Sequence, residues 1–142
     1  MPANIKDLKP KVKRMMDTLI VECKKSGFPI FITQGVRTME EQATIYSIGR
    51  RGKVGEKVVS MAKPGYSPHN WGVAFDIAFV KQPIYVGPWG KVGALGESLG
   101  LEWGGRWASF PDRPHFQYLA GYKINYKKND FLDKTVDWSK FV

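Results

Sequence analysis

Two short segments of the chain place a histidine near an acidic residue, and together they offer the donor types of a catalytic zinc site. His69 lies seven residues before Asp76, and Asp112 lies three residues before His115. Two imidazoles and one carboxylate, here His69, Asp76 and His115, can bind zinc and leave a fourth position for water. Zinc lowers the pKa of that water to about 7, which generates a nucleophile at neutral pH. Asp112 would project near the metal as an acid/base without binding it.

The same residues are also compatible with structural roles. A histidine within ten residues of an aspartate is common, so the spacing alone leaves a metal site and ordinary core histidines as open alternatives. Asp76 shares the small-residue face of a predicted strand with Ala74 and Ala78. A carboxylate in that position needs a partner to offset its loss of water, which favours the metal site without deciding the matter.

The inventory of histidine and cysteine narrows the possible metal sites. The chain has 142 residues, about one domain, with 2 His and 1 Cys. A disulfide framework, a zinc finger and a three-histidine zinc site are therefore excluded, and any metal site must be completed by carboxylates. We expect the single Cys23 to lie in the core, on the apolar stripe of a helix.

The charge predicts a polyanionic partner. There are 22 Lys and Arg against 13 Asp and Glu, a formal charge of +9, which would attract nucleic acid, an anionic membrane surface or bacterial wall polymers. No segment approaches the roughly 18 apolar residues of a membrane span. Residues 1–13 lack the apolar region of a signal peptide, so we expect a cytoplasmic location before any release.

The elements that must position these residues can be predicted from periodicity. An apolar stripe predicts an amphipathic helix with Pro10 in its first turn and Gly27 as its terminator. A β-branched run predicts a strand over 29–33, and Thr38 with Glu41 forms a capping box that opens a second helix. The basic segment that follows, 47–63, is predicted to be a surface loop or short hairpin. A solvated face and contact with an anionic substrate or wall polymer are its two interpretations.

The second half of the chain completes an α+β pattern. Alternation predicts a strand over 71–80 with Asp76 opposite the apolar face, a glycine-weakened helix over 89–99, two Trp-Gly-rich turns and a strand over 114–118. This order predicts a single domain, 1–142, with a small antiparallel β-sheet and helices packed on one side. We expect the aromatic residues after 118 to wrap back over the domain, although they also permit nucleic-acid stacking. They are Tyr122, Tyr126, Phe131, Trp138 and Phe141.

Four ordered blocks of the chain resemble one family. They are S-x-H with G-x-A-x-D over 67–76, D-x-x-H-F over 112–116, TQGVRT with a following Gln over 33–42, and LGLEWGGRW over 99–107. These blocks are similar to the zinc D-alanyl-D-alanine peptidases and their relatives, the L-alanyl-D-glutamate peptidases of phage endolysins and bacterial wall hydrolases. The family-like core therefore covers about residues 33–118, and 119–142 form a carboxyl-terminal tail.

The resemblance implies a role for each matching residue. His69, Asp76 and His115 would bind Zn²⁺, and Asp112 would be the catalytic acid/base. Arg37 would hold a substrate carboxylate or stabilise the developing oxyanion, which suits its permanent charge and forked donors.

Other residues near these blocks have two interpretations each. Ser67 would orient substrate at the metal pocket, or it is a turn residue. Gln42 is either a solvated helix residue or a support for the site, and Gln34 stands where many relatives have Ser, which affects the hydrogen bonds around Arg37. Two further residues, Trp103 and Trp107, are either substrate platforms or structural plugs at the edge of the core.

The presence of Asp112, where carboxypeptidase relatives usually have Glu, favours the L-alanyl-D-glutamate branch. We therefore expect a peptidoglycan-degrading zinc endopeptidase, an endolysin that cuts the L-Ala–D-Glu bond of the stem peptide. The alternatives are a D-alanyl-D-alanine carboxypeptidase and a non-catalytic basic module that binds wall polymer or nucleic acid. The expected partner is bacterial peptidoglycan. Nucleic acid and membrane insertion are not expected, and the protein is expected to be a monomer in the host cytoplasm until its release.

Overall fold

The computed structural model describes residues 3–125 and 127–142 and shows an α+β fold. Its four-stranded antiparallel sheet has the order β1-β2-β4-β3, which confirms the predicted fold class. The strands are β1 Ile30–Gln34, β2 Ala74–Phe79, β3 Glu102–Trp103 and β4 His115–Gln117, and the helices are α1 Pro10–Lys25, α2 Met39–Ser47, α3 Trp89–Ser98 and α4 Asp130–Asp133. None of the described helices is long and apolar enough to cross a membrane.

Helix α1 packs its apolar stripe into the core, as predicted. Pro10 occupies the first turn, where its missing N–H is harmless, and Gly27 follows the helix at a φ of +89°. The face turned inward is buried and consists of Val12, Met16, Leu19 and Cys23. Cys23 is fully buried in the core, as predicted, and this burial raises the pKa of its thiol to about 11, which disfavours the reactive thiolate.

Strand β2 carries the core on one face and the candidate chemistry on the other. The alternating residues Val73, Phe75, Ile77 and Phe79 all lie in the hydrophobic core, and Asp76 points to the opposite face. The predicted start at residue 71 is wrong, because residues Pro68–Trp71 form a 3₁₀ helix and Gly72 turns the chain at a φ of +72°. That turn ends the helix directly before the strand.

The sheet register brings two candidate ligands side by side. Asp76 pairs with His115 across β2 and β4, and it faces Gln34 across β1. Paired Cβ atoms in antiparallel strands lie about 5 Å apart, so this register alone makes Asp76 and His115 neighbours.

Residues 102–103 form a strand where the sequence predicted a turn. Trp103 is buried, its indole N–H donates to the carbonyl of Arg113 at 2.8 Å, and the strand pairs with β4. Helix α3 can approach this strand closely because it has glycine at position 93, where a Cβ would collide with the Trp103 ring. The glycines that weaken the helix therefore serve its packing.

The carboxyl-terminal segment wraps over the domain, as predicted. Phe131 and Phe141 belong to the hydrophobic core, and Trp138 packs against both rings. The Arg14 guanidinium also donates to the carbonyl oxygen of Val142 at 2.7 Å. Tyr126, which belongs to the predicted aromatic set, lies outside the described residues.

Candidate metal centre

Three side chains from three elements converge at one point of the sheet. His69 comes from the 3₁₀ helix, Asp76 from β2 and His115 from β4, and one potential ligand atom of each lies within 4.8 Å of the others. The Asp76 Oδ1 atom is 3.2 Å from Nε2 of His69 and 3.1 Å from Nδ1 of His115. The structure thus brings together all three residues that the sequence analysis singled out as ligands.

His69 is held by contacts at its backbone N–H and at both ring nitrogens. Its backbone N–H donates to the hydroxyl of Ser67 at 3.3 Å, so Ser67 caps the 3₁₀ helix and lines the neighbouring cleft. Its Nδ1 lies 2.8 Å from the carbonyl oxygen of Gly35. Because a carbonyl only accepts, Nδ1 must carry the hydrogen, and the lone pair of Nε2 faces Asp76 in the neutral ring.

His115 is oriented by a chain of two further side chains. Its Nε2 lies 2.7 Å from Gln117 Oε1, and Gln117 Nε2 donates to the carboxylate of Glu102 at 3.0 Å. Because the Glu102 carboxylate only accepts, it fixes the orientation of the Gln117 amide, which in turn places the hydrogen of His115 on Nε2. The lone pair of Nδ1 then faces Asp76, as Nε2 of His69 does.

This arrangement directs three electron-pair donors at one another and therefore requires a cation between them. Burial raises the pKa of Asp76, but the two histidines outweigh burial and hold that pKa far below its usual range. Burial lowers the pKa of His69. Burial also opposes protonation of His115, but the contacts with Asp76, Gln117 and Asp112 together outweigh it and raise the pKa of His115. A proton can be shared by only some of these three donor atoms. A divalent metal ion can bind all three donor atoms at once, and two imidazoles with one carboxylate fit zinc.

Arg37 lies beside the cluster in a fixed position. Its guanidinium donates to Gln42 Oε1 at 3.1 Å and to Gln34 Oε1 at 3.3 Å, and Nη2 lies 3.7 Å from Asp76 Oδ2. Gln42 is fully buried and its amide nitrogen donates to the Ala62 carbonyl at 2.8 Å. The interpretation of Gln42 as a solvated helix residue is therefore wrong, and Gln34 makes a hydrogen bond that orients the arginine.

A cleft of about 310 Å³ opens over the cluster and includes Asp112 in its lining. Hydrogen bonds fix the Asp112 backbone, whose N–H donates to Gly104 O at 2.9 Å and whose carbonyl accepts from His115 N at 3.2 Å. The carboxylate makes no hydrogen bond or ion pair with any residue in the described part of the chain. Burial raises its pKa above the usual aspartate value, which suits a group that must accept a proton.

The two tryptophans have different surroundings. Trp103 is buried against α3, which confirms its interpretation as a structural residue. Trp107 is 37% exposed, lies with its ring centroid 5.2 Å from that of His115 and lines the cleft. Trp107 therefore borders the space that a substrate would enter, and its interpretation as a substrate platform stays a prediction.

Gln117 and Glu102 are the site residues that the sequence analysis missed. Gln117 lies two positions after His115 on a strand, so both side chains share a face, and this periodicity is a signal that could have identified Gln117. Glu102 lies on the short β3 strand, and no local pattern connects it with His115.

The comparisons with known proteins agree with this geometry. Residues 61–118 match the peptidase family M15 described as D-alanyl-D-alanine carboxypeptidase. The chain is 33% identical to the peptidoglycan L-alanyl-D-glutamate endopeptidase CwlK of Bacillus subtilis, over 80% of this chain and 74% of that protein. It is 30% identical to the L-alanyl-D-glutamate peptidase of Listeria phage A118, over 84% of this chain and 41% of the phage protein.

A solved structure with the same fold is that of the L-Ala D-Glu endopeptidase ChiX of Serratia marcescens. It superposes with a TM-score of 0.60 at 23% identity and covers 82% of this chain and 84% of the other. The fold, the His-Asp-His cluster and the sequence matches together define a metallopeptidase. The chain belongs to the M15 peptidase family, and its matched region contains His69, Asp76, Asp112 and His115.

Proposed function

We propose that this protein is a zinc endopeptidase that hydrolyses the bond between L-Ala and D-Glu in the stem peptide of peptidoglycan. His69, Asp76 and His115 would hold the Zn²⁺. The observation that carries the proposal is the convergence of their ligand atoms within 4.8 Å under a cleft that includes Asp112. The two relatives support this choice of bond, since both are named for cleavage between L-alanine and D-glutamate.

Zinc, when bound, supplies a Lewis acid that polarises the scissile carbonyl and makes a water molecule more acidic. The Asp112 carboxylate accepts the proton of the attacking water and returns it to the departing amine of D-Glu. Its raised pKa brings its proton affinity closer to what this transfer needs. The absence of a hydrogen-bond partner among the described residues leaves its oxygens available for substrate and water.

Arg37 binds the negative charge of the substrate. Its three contacts, with Gln34, Gln42 and Asp76, hold the guanidinium in one position before substrate arrives. The side chain holds a stem carboxylate or stabilises the oxyanion that forms at the scissile carbonyl. Ser67 borders the same cleft and orients the substrate through its hydroxyl.

We further propose that the protein acts as an endolysin. Its similarity to a phage peptidase and its formal charge of +9 support an anionic bacterial wall as its target. Peptidoglycan is then the partner on which the enzyme acts.

Metal removal and restoration test the proposal. A chelator should abolish lysis of bacterial walls, and one equivalent of zinc should restore both the metal content and the lysis. Magnesium serves as the control, because two imidazoles with one carboxylate do not suit it. Full lytic activity in metal-free protein would contradict the proposal.

A second function, that of a D-alanyl-D-alanine carboxypeptidase, is favoured by the description of the family that residues 61–118 match. Both activities use the same metal chemistry and differ in their products. The carboxypeptidase releases free D-Ala, whereas the endopeptidase leaves a peptide with D-Glu at its amino terminus.

A further inference from the structure

A second cavity adjoins the catalytic cleft. It has a volume of about 460 Å³ and is lined by Met61, Ala62, Lys63, Tyr66 and Asn125. Met61, Ala62 and Tyr66 also line the cleft over the metal centre, so the two spaces share a wall. A peptide that extends past the scissile bond can therefore pass from one space into the other.

The shared wall is fixed by the turn of residues 63–66. Tyr66 N donates to Lys63 O at 2.8 Å, and proline and glycine, the latter at a φ of +86°, occupy the central positions of a type II turn. The glycine carbonyl accepts from the buried Asn129 amide at 2.6 Å and from the Trp71 indole at 2.9 Å. The cavity is therefore organised before a ligand binds, which lowers the entropic cost of binding.

The same wall is continuous with the catalytic residues. The Ala62 carbonyl accepts from Gln42, whose own oxygen accepts from Arg37, and Tyr66 lies three residues before His69. A group bound in this cavity would thus lie beside the site of cleavage and not on a distant surface.

The polar groups of the cavity suit an anion. Lys63 is the only charged residue in the lining, and its ammonium makes no ion pair with any residue in ranges 3–125 and 127–142. Asn125 Oδ1 accepts from the backbone N–H groups of Lys127 and Lys128 at 2.8 and 2.9 Å, so its NH₂ group remains to donate. The Tyr66 hydroxyl can donate as well. No carboxylate of the described residues lines the cavity to oppose an anion.

We propose that this cavity is a subsite for a carboxylate on the stem-peptide residues that follow the scissile bond, with Lys63 as its cationic group. The proposal rests on the proposed function, because D-Glu linked through one carboxyl keeps the other free. The next residue of the stem supplies a second possible carboxylate when it is a diamino diacid, and an amine when it is lysine. Lys63 makes the enzyme selective for the anionic form of the stem.

Equilibrium binding to zinc-loaded protein tests this subsite. The Asp112→Asn variant slows turnover so that Kd can be measured for stem peptides with both carboxylates, with D-Glu amidated, and with lysine at the third position. Lys63→Gln in this background should raise Kd for the doubly anionic peptide about tenfold. Lys57→Gln, an exposed lysine of the same loop outside the lining, is the matched control and should change Kd less than twofold.

The peptide series identifies the carboxylate that Lys63 recognises. The peptide that lacks this carboxylate should bind the Lys63-containing protein about tenfold more weakly than the doubly anionic peptide does. Its Kd should not change when Lys63→Gln is introduced. Rising salt should weaken binding of the doubly anionic peptide more than it weakens binding of the peptide that lacks the recognised carboxylate. Equal Kd values for all peptides, equal Kd values with and without Lys63, or no measurable binding would each overturn the subsite.

The test separates the subsite from the proposed function. If product analysis shows cleavage of another bond while Kd still depends on Lys63, the subsite stands and the assigned bond is wrong. If the L-Ala–D-Glu bond is cut while Kd is independent of Lys63, the proposed function stands and the subsite is overturned.

Discussion

The two walls of the catalytic cleft are built in different ways. On the sheet side, His69 and His115 are 2% and 4% exposed, and both ring nitrogens of each histidine have a partner. On the opposite side, the chain between α2 and the 3₁₀ helix contributes Met61, which is 66% exposed, and Lys63, which forms no ion pair with any described residue. The sheet and the adjoining 3₁₀ helix thus hold the three candidate metal ligands in fixed positions, while a surface loop forms the opposite border of the cleft.

The loop between α2 and the 3₁₀ helix nevertheless has local structure of its own. Glu56 accepts from both the Arg51 guanidinium, at 2.6 Å from Oε2, and the backbone N–H of Gly49. The exposed Lys53 and Lys57 fit the interpretation of 47–63 as a solvated face. Lys63 is exposed as well, but it also lines the second cavity, so the interpretation as a substrate contact is retained at this end of the segment.

The largest effect is expected from the sheet wall. His115→Ala removes one of three ligands and leaves Asp76 with a single histidine, so we expect loss of stoichiometric zinc and a fall in lytic activity of about 10³-fold or more. Metal analysis and a lysis assay on the purified variant measure both. Lys57→Gln, a substitution at an exposed lysine, is purified in the same way as a control and should keep both its zinc and its activity. Retention of full zinc and full activity in His115→Ala would refute the ligand assignment.

Asp112→Asn should separate catalysis from metal binding. The amide keeps the size of the side chain but accepts no proton, so we expect about 10²- to 10⁴-fold lower kcat with unchanged zinc content and unchanged thermal unfolding. Steady-state kinetics on a defined stem peptide provide the measurement. Activity equal to that of the unmodified chain would remove Asp112 from its catalytic role.

Gln117→Leu should weaken the metal site without removing a ligand. Leucine has a similar volume but cannot accept from His115 Nε2, so zinc affinity should fall about 10- to 100-fold. Competition with a chromogenic chelator measures the affinity. Glu102→Gln is the matched control, since its carbonyl still accepts from Gln117, and we expect a change below twofold. Unchanged affinity in Gln117→Leu would show that the outer hydrogen bond does not support the centre.

The smallest effect on activity is expected in the core behind the sheet, at Cys23. Burial raises the pKa of this thiol from 9.0 to about 11. As the pH rises, the Cys23 thiol of the unfolded chain loses its proton before the buried thiol of the folded chain does. The contribution of the protonated thiol to the free energy of unfolding is therefore complete below pH 9.0 and is lost as the pH rises toward about 11. Within this window we expect a decline in unfolding free energy of about 1.4 kcal/mol per pH unit.

Urea unfolding at pH 8 and pH 10.5, compared with a Cys23→Ala variant, separates this contribution from the pH dependence of the rest of the chain. The pH-dependent decline should be smaller in Cys23→Ala, while its lytic activity at neutral pH should match that of the unmodified chain. An identical pH dependence in both proteins would contradict the assignment of Cys23 to a buried, protonated state.

The contrast between the walls also explains how much could be predicted from the sequence. Asp76 was placed correctly because strand alternation is local, and the capping box of Thr38 and Glu41 forms as predicted. The grouping of His69, Asp76 and His115 followed from their motifs, and the strand register brings Asp76 and His115 together. Local periodicity therefore places Asp76 on its strand, whereas the resemblance of the motifs to a family supplies the grouping of the three ligands.

The remaining features depend on contacts between distant segments. Gln42 is buried because residues 60–62 fold back over α2, and no property of the helix alone indicates this. The β3 strand that positions Glu102 has two residues, too few for an alternating pattern. The second cavity forms where Lys63 and Tyr66 meet Asn125, some sixty residues later in the chain. Tertiary packing decides all three features.

Mass analysis of purified peptidoglycan digested with the zinc-loaded protein tests the central claim most directly. We expect glycan fragments that retain only L-Ala and released peptides that begin with D-Glu, with neither product formed by Asp112→Asn under the same conditions. Free D-Ala as the only product would contradict cleavage of the L-Ala–D-Glu bond and would instead identify the protein as a carboxypeptidase.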